Sequence, residues 1–398
     1  MNVLFLHPAA AFGGASKSLI ELYSLLCADG VRGTVLTPAG SVCPSFEKAG
    51  MRVCAVRGLS QFDNTRYGYY RKIRWLILLR EILLLPFSLA GLWRLRRESF
   101  DLIHLNEITL LPLGVLAKWL LRVPMVVHVR SLQRKPGSGL RTRWVNWLLR
   151  RHADAVVAID HTVAATLGAD LLVHVIHNGL QVSGMQTGEH PSPEGGPVRV
   201  GFLGVLIPLK GIFELVEAIR ILKARGVEIE CLVAGENARQ ISGFKAWILR
   251  KFGFARDVRA ELDELIRRES LEDRVKLLGF MSDVRELYPQ LDILCFPSHL
   301  DAAGRPVFEA AFYSVPSVVA VADPVPDALL HEVTGLAVPT PDPLLIADAL
   351  QRLVEEPELR RQLGRQARIW AQETFAIEAN AARMRDLYRH VLSSSSSR

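Results

Sequence analysis

Short unbroken apolar runs alternate with longer segments of mixed polarity along the whole chain. In the first half the runs are NVLFLH (2–7), GTVLTP (33–38), MRVCAV (51–56), DLIHL (101–105), PMVVHV (124–129), DAVVAI (154–159) and VHVIH (173–177). A second series follows: VRVGFLG (198–204), EIECLVAG (228–235), RVKLLG (274–279), DILCFP (292–297), SVVAV (317–321) and GLAVPT (335–340). A strand buried on both faces reads as a continuous apolar run, so the pattern predicts parallel sheets covered by helices. PSPEGGP (191–197) separates the two series and has a linker's composition. The prediction is two doubly wound α/β domains facing each other, over 1–190 and 191–375. A helical stretch from Pro357 to Leu392 closes the chain, with 376–398 returning to the first domain and the tail SSSSSR reading as disordered. Ligands of such sheets bind at the carboxyl ends of the strands, which points to the cleft between the domains.

A length of 398 residues fits two domains, at roughly 100–200 residues each. Hydrophobic residues at 49% against 22% charged exclude a disordered or fibrous chain. The five cysteines form no CxxC pair, so the chain reads as a protein of a reducing compartment without a zinc ribbon. MNVLFLHPAA reads as a first strand rather than a signal peptide.

The net charge of +7 is unevenly spread. Residues 1–190 hold 22 basic and 12 acidic residues, whereas 191–398 hold 26 and 29. The excess lies in 64–100, with eight basic and two acidic residues, and in 130–151, with seven basic and none acidic. A one-sided basic field points to an anionic partner. The first segment, RKIRWLILLREILLLPFSLAGLWRLRR, sets Trp75 and Trp93 at the ends of an apolar stretch flanked by Lys and Arg. Arg80 and Glu81 offset the gain from spanning a bilayer, and Pro86 is expected to break the helix. A segment lying in an anionic membrane surface fits better than a span; a buried helix with solvated basic ends is the alternative. Trp144 and Trp147 give the second basic segment the same character. No nucleic-acid recognition motif accompanies the charge. ISGFKAWILRKFGFARDVR (241–259) mixes apolar and basic residues without a decided role.

Three motifs carry candidate chemistry. AFGGASKSL follows the first strand, and Gly13 and Gly14 leave bare backbone where Ala15, Ser16 and Lys17 open a helix suited to an anion. A plain strand-to-helix turn has the same appearance. GFLGVLIPLKGI places Lys210 at a strand's carboxyl end beside a helix start, which favours a diphosphate; a surface lysine in a turn is the plain alternative. FPSHLDAAGRPVFEAAF sets Asp301 and Glu309 eight positions apart around a loop whose Ala302, Ala303 and Gly304 N–H groups can bind an anion or hydroxyl. Glu309 can take a vicinal diol bidentately, as in a ribose. Asp301 as helix cap with a solvated Glu309 is the structural alternative. There is no Asp-x-Asp pair and no His/Cys cluster at metal spacing, so neither a metal nor another cofactor is expected.

In order along the chain, GGA-K-S-L, VVHVRS, IHNGL (177–180 in its last four residues), GFLG…P-K-G, LLGF…DVRELY…DILCFPS, the Asp-seven-residue-Glu block and TGLAV resemble the retaining glycosyltransferases of the GT-B fold, family four (glycosyl transferases group one). The resemblance covers nearly the whole chain. It implies two Rossmann-like domains and transfer of a sugar from a nucleotide-diphospho-sugar to an acceptor hydroxyl with retention and without a metal. It implies that Lys210 meets the donor diphosphate, Glu309 the ribose and Asp301 the transferred sugar. His128 would lie at a strand end by the reaction centre, Gly14 near the phosphates, and Gly279 and Phe280 against the nucleobase. Val205 stands where the family has an arginine, so either Arg305 or Arg130 substitutes or donor binding is weaker. Asp301 stands for the usual glutamate.

The basic, Trp-rich first half suggests a lipid-linked glycan acceptor, with Arg130, Arg134 and Lys135 meeting its phosphates. The protein would then sit on the cytoplasmic face of the membrane, in bacterial polysaccharide or lipopolysaccharide assembly. Two rivals remain: a nucleotide-sugar epimerase on the same fold, and a non-catalytic relative that has kept it. His7, His104 and His177 read as structural.

Overall fold

The computed structural model describes residues 1–66, 68, 75–134, 139–180, 196–237, 257–281, 283–300 and 303–396, the last two without their side chains. Lys135, Asp301, Ala302, most of the 191–197 linker and all but the last three residues of 241–259 lie outside the described residues. The chain divides into two units: Met1–Gln181 with Phe375–Arg398, and Val182–Thr374.

The first unit is built on a seven-stranded parallel sheet. Its strands are β1 (Asn2–Leu6), β2 (Arg32–Pro38), β3 (Arg52–Val56), β4 (Leu102–Leu105), β5 (Met125–Val129), β6 (Ala155–Ala158) and β7 (Val173–Val175), in spatial order β3-β2-β1-β4-β5-β6-β7. Strand alternation sends two apolar sets to opposite faces. Leu4, Leu6, Ile103, Leu105 and Val127 pack under α3 (Ile77–Leu95), α4 (Leu111–Leu121) and α5 (Leu140–His152). Val3, Phe5, Leu102 and Val126 pack under α1 (Gly14–Ala28) and the C-terminal helix. Two short helices, α2 (Cys43–Lys48) and α6 (His161–Ala164), complete the unit's connections.

α3 differs from its sequence reading. It runs unbroken through Pro86. The proline lies on the exposed side, where water can reach the Ile82 carbonyl that the missing N–H leaves over.

The second unit has a six-stranded parallel sheet: β8 (Val198–Leu203), β9 (Ile229–Ala234), β10 (Val275–Gly279), β11 (Ile293–Phe296), β12 (Ser317–Ala320) and β13 (Gly335–Val338), in order β10-β9-β8-β11-β12-β13. Its core gathers Val200, Phe202, Ile229, Val233, Ile293 and Val318 with α7 (Ile212–Ala224), α8 (Val258–Arg268) and α10 (Pro343–Glu355). α9 (Arg305–Phe312) follows β11.

The terminal helical stretch is two helices, α11 (Pro357–Phe375) and α12 (Ile377–Ser396), not one. The break falls at Ala376, where the Leu180 N–H donates to the Phe375 carbonyl at 2.8 Å. Gly179 lies so close that a Cβ there would sit 2.5 Å from the Ile377 Cα. α12 packs Ala381, Met384, Leu387, Tyr388 and Val391 into the first unit's core. It continues into the serine run read as disordered, with the Ser393 hydroxyl donating to the His390 carbonyl.

Candidate functional site

In a doubly wound sheet the crevice opens where the strand order reverses. In the second unit that point lies between β8 and β11. Gly204 ends β8, and its carbonyl lies against Gly235 at the end of β9, where a Cβ would stand 1.9 Å away. Gly235 in turn donates its N–H to the carbonyl of Gly279, which ends β10 with φ 77°. The exposed ring of Phe280 follows.

Beyond β8 the chain makes a single 3-10 turn, Pro208–Lys210, and Gly211 starts α7 in the left-handed region, φ 74°. A Cβ on Gly211 would meet the Pro297 carbonyl at 1.7 Å, so the turn carrying Lys210 is pressed onto the end of β11. The Lys210 ammonium stands 4.7 Å from the centre of the Phe296 ring, and burial pushes its pKa down. Gly304 lies on the same ring, where a Cβ would approach Phe296 Cζ to 2.4 Å.

One turn into α9, Glu309 is held from two sides. Its Oε1 accepts from Arg305 Nε at 2.7 Å, and its Oε2 accepts from the Tyr288 hydroxyl at 2.6 Å. The side chains of Arg305 and Glu309 are 20% and 12% exposed. Tyr288 is fully buried and stacks on Tyr313 at 5.4 Å; burial, then the Glu309 charge, pushes its pKa well up, so it stays a donor. A carboxylate has about four acceptor positions, so both contacts leave Glu309 able to accept from a diol.

In the first unit the order reverses between β1 and β4. The residues just past these strands, His7 and Asn106, meet at 2.9 Å between Nδ1 and Nδ2. Asn106 also donates to the Ala15 carbonyl at the start of α1, and its Oδ1 accepts from Arg130 Nε at 2.9 Å. Arg130 further donates to Asn178 Oδ1 and approaches His128 Nδ1 at 3.3 Å. Beneath this row His128 lies 5.4 Å from His104, whose Nδ1 meets the Tyr388 hydroxyl at 2.6 Å. Burial, and then the Arg130 charge, lowers the pKa of His7 and of His104 to about 3 and that of His128 well below 6.5. All three rings are therefore neutral at pH 7, and Arg130 is the cation of the cluster. Glu107, after β4, accepts from the Ile108 N–H at 2.8 Å and the Ser131 hydroxyl at 3.1 Å, while burial pushes its carboxyl up.

The family model for "Glycosyl transferases group 1" matches residues 188–370, and that for "Glycosyl transferase 4-like domain" matches 13–179. Residues 188–370 thus form a group 1 glycosyltransferase domain, and 13–179 a glycosyl transferase 4-like domain. The chain's relatives include the alpha-D-kanosaminyltransferase of Streptomyces kanamyceticus, 25% identical over 48% of this chain and 45% of that one. The capsular polysaccharide biosynthesis glycosyltransferase CapM of Staphylococcus aureus is 23% identical over 49% and 47%. The chain thus matches about half the length of these curated relatives. Anabaena HepE, solved in complex with UDP and glucose, has the same fold: TM-score 0.73, 22% identity, covering 97% of this chain and 98% of that one. Both sheets are those of the GT-B fold.

In the second unit Lys210 and Gly304 both lie against the Phe296 ring, and Arg305 and Glu309, which follow Gly304, pair with each other. Gly279 and Phe280 stand at the same carboxyl edge, three strands over. Ala303, half-buried, precedes Gly304. Gly13 is extended, and a Cβ on Gly13 or Gly14 would meet nothing within 4 Å, so only open approach to the backbone distinguishes them. Arg134 donates its N–H to the Asn64 carbonyl, at the edge of the first-unit cluster.

His128 stands near the end of β5, as its motif implies, but its ring is buried. It is 2% exposed, and Arg130 follows Val129, the last residue of the strand. Residues i and i+2 share a strand face, so the arginine covers the histidine. His128 approaches the Arg130 guanidinium from below at 3.3 Å. Sequence reasoning missed Tyr288, Phe296, Asn106, Glu107 and Asn178 as site residues. DVRELY and IHNGL were visible as motifs, but the partners of Tyr288 and Asn178 come from elements far along the chain.

Proposed function

We propose that the chain transfers a sugar from a nucleotide-diphospho-sugar to a hydroxyl of a lipid-linked glycan at an anionic membrane surface, with retention and without a metal. The observation that carries this reading is that the Phe296 ring meets both Lys210 and Gly304, the residue that opens the helix bearing the Arg305–Glu309 pair. Two cations beside a carboxylate suit a diphosphate next to a ribose diol. The group 1 domain supports sugar transfer, UDP in HepE supports a nucleotide-linked donor, and CapM supports a polysaccharide product.

As the anomeric carbon–oxygen bond breaks, charge grows on the departing phosphate. Lys210 and Arg305, fixed before the reaction, stabilise it more in the transition state than in the ground state. The acceptor oxygen bonds the anomeric carbon on the face the diphosphate leaves, and its proton passes to a phosphate oxygen. Phe280 is the proposed contact of the nucleobase, Asp301 that of the transferred sugar. Arg130, supported by His128 and Asn106, meets phosphate groups together with Arg134 and Lys135.

Thermal unfolding against UDP, GDP, ADP and their sugar conjugates tests the donor site. A ligand at a hundredfold its Kd adds about 2.7 kcal/mol. Stabilisation by one nucleotide, lost in Lys210→Ala and Glu309→Ala, is expected; no shift with any nucleotide would leave a non-catalytic relative. Nucleotide release that needs an acceptor separates transfer from epimerisation, and an unchanged rate in EDTA is expected of side-chain charge stabilisation.

A further inference from the structure

We infer that the outer face of α3 is a docking surface for an anionic lipid bilayer, which it enters edge-on without crossing. The inference deepens the reading of a lipid-linked acceptor by naming the contact.

α3 buries Glu81, Ser88, Gly91, Leu92 and Leu95, which fall on one side of the helix. The opposite side carries Leu76, Leu79, Leu83 and Phe87, with Ile82 and Trp93 beside them, all exposed. Leu79 is 58% and Leu83 71% exposed. This inverts the usual order, in which a surface helix turns its polar side outward. Scattered exposed leucines need no explanation, but a continuous apolar helix face does.

The surroundings select the occupant. Among the described residues no helix is long and apolar enough to cross a membrane. α3, α4 and α5 cover the same face of the sheet and together hold seven basic residues against one acidic. That acid, Glu81, points inward and is paired with Arg80. Guanidinium groups stand against the aromatic rings at the rim. Arg141 lies 5.6 Å from Trp75, Arg57 5.3 Å from Phe87, and Arg96 3.2 Å from Trp93. α4 and α5 add exposed Trp119 and Trp147. Asp154 and Asp170, from neighbouring connections, pair with Lys118 and Arg150, which leaves Arg94, Arg141, Arg143 and Arg151 as the helices' excess charge. Apolar side chains at the centre with aromatics and a net positive rim around them match an acyl boundary beneath anionic headgroups. A protein partner's interface core would be depleted of charge but would not require one sign around it.

The test is co-sedimentation of the full chain with vesicles of phosphatidylcholine alone and of phosphatidylcholine with phosphatidylglycerol. Binding to the anionic vesicles is expected, weakened but not abolished by high salt. Leu79→Ser with Leu83→Ser should lower the partition coefficient by about tenfold or more, because both side chains lose their apolar burial. Arg143→Gln with Arg151→Gln should lower it on anionic vesicles alone. Both pairs are exposed, so unfolding midpoints should match the parent's. Absence of binding to either vesicle overturns the proposal. So does equal binding to both, or a concentration-dependent dimer abolished by the leucine pair, which would give the face to a second copy. No turnover is involved, so nucleotide binding measured on the same samples reports separately on the transferase reading.

Discussion

Arg305→Ala asks whether this arginine supplies the cation that Val205 does not. In the free protein its Nε lies 2.7 Å from Glu309 Oε1, with both side chains mostly covered. A hydrogen bond to a charged group contributes about 1.5–3 kcal/mol. Arg305 must share its guanidinium between Glu309 and the diphosphate, so the net contribution to donor binding is smaller, about 1–2 kcal/mol. That corresponds to roughly 5–30-fold weaker binding of the nucleoside diphosphate. The nucleoside alone has no phosphate for Arg305 to meet, so its affinity should fall by less than about threefold. Titration calorimetry with both ligands, on parent and variant, measures the difference. Adding Val205→Arg should restore part of the diphosphate affinity without changing the nucleoside's, because Val205 is exposed at the end of β8 and has room for a longer side chain. Equal losses for nucleoside and nucleotide would refute the reasoning: Arg305 would then act only by orienting Glu309 toward the ribose.

Gly211→Ala should destabilise the second unit by more than about 2 kcal/mol, since φ is 74° and the new Cβ would lie 1.7 Å from the Pro297 carbonyl; a parent-like urea midpoint would contradict this. Tyr388→Phe removes the 2.6 Å contact to the buried His104 Nδ1 and should cost about 1–2 kcal/mol in urea unfolding, against no change if the contact is idle. Stability should also depend on pH. Burial holds the pKa of His7 and His104 at about 3 against 6.5, and that of His128 well below 6.5. Below pH 6.5 the unfolded chain binds protons that the folded chain refuses. The stability is therefore complete above 6.5 and is lost as pH falls from there toward 3, by up to about 1.4 kcal/mol per pH unit for each histidine. A urea midpoint that is flat between pH 7 and pH 5 would contradict the burial.

The sheets were legible because parallel strands buried on both faces leave continuous apolar runs, and the runs survive as β1–β13 with ends shifted by only a residue or two. The break at Ala376 was not legible: ETFAIEAN holds no glycine or proline, and the cause is the backbone of Gly179 and Leu180 lying against it. The exchange of His128 for Arg130 has a smaller cause. His128 lies in β5 and Arg130 just past it, and the extended chain sends both side chains to the same side, so where the strand ends decides which one emerges. In the second unit the i, i+4 relation of Arg305 and Glu309 follows from any helix, but Tyr288 reaches Glu309 from 21 positions away and carries no local mark.

Phe296 shows why such residues matter to the site while looking like plain core. As the last residue of a buried strand it reads as packing. Its ring also separates Lys210 from Gly304, touching the loops that bring in both the lysine and the Arg305–Glu309 pair. Gly304 fits only because it has no Cβ. A larger residue there would displace the ring and with it the spacing between the cations, without altering any residue that itself carries charge. The placement of the candidate site's charges therefore depends on an apolar contact that charge patterning cannot reveal.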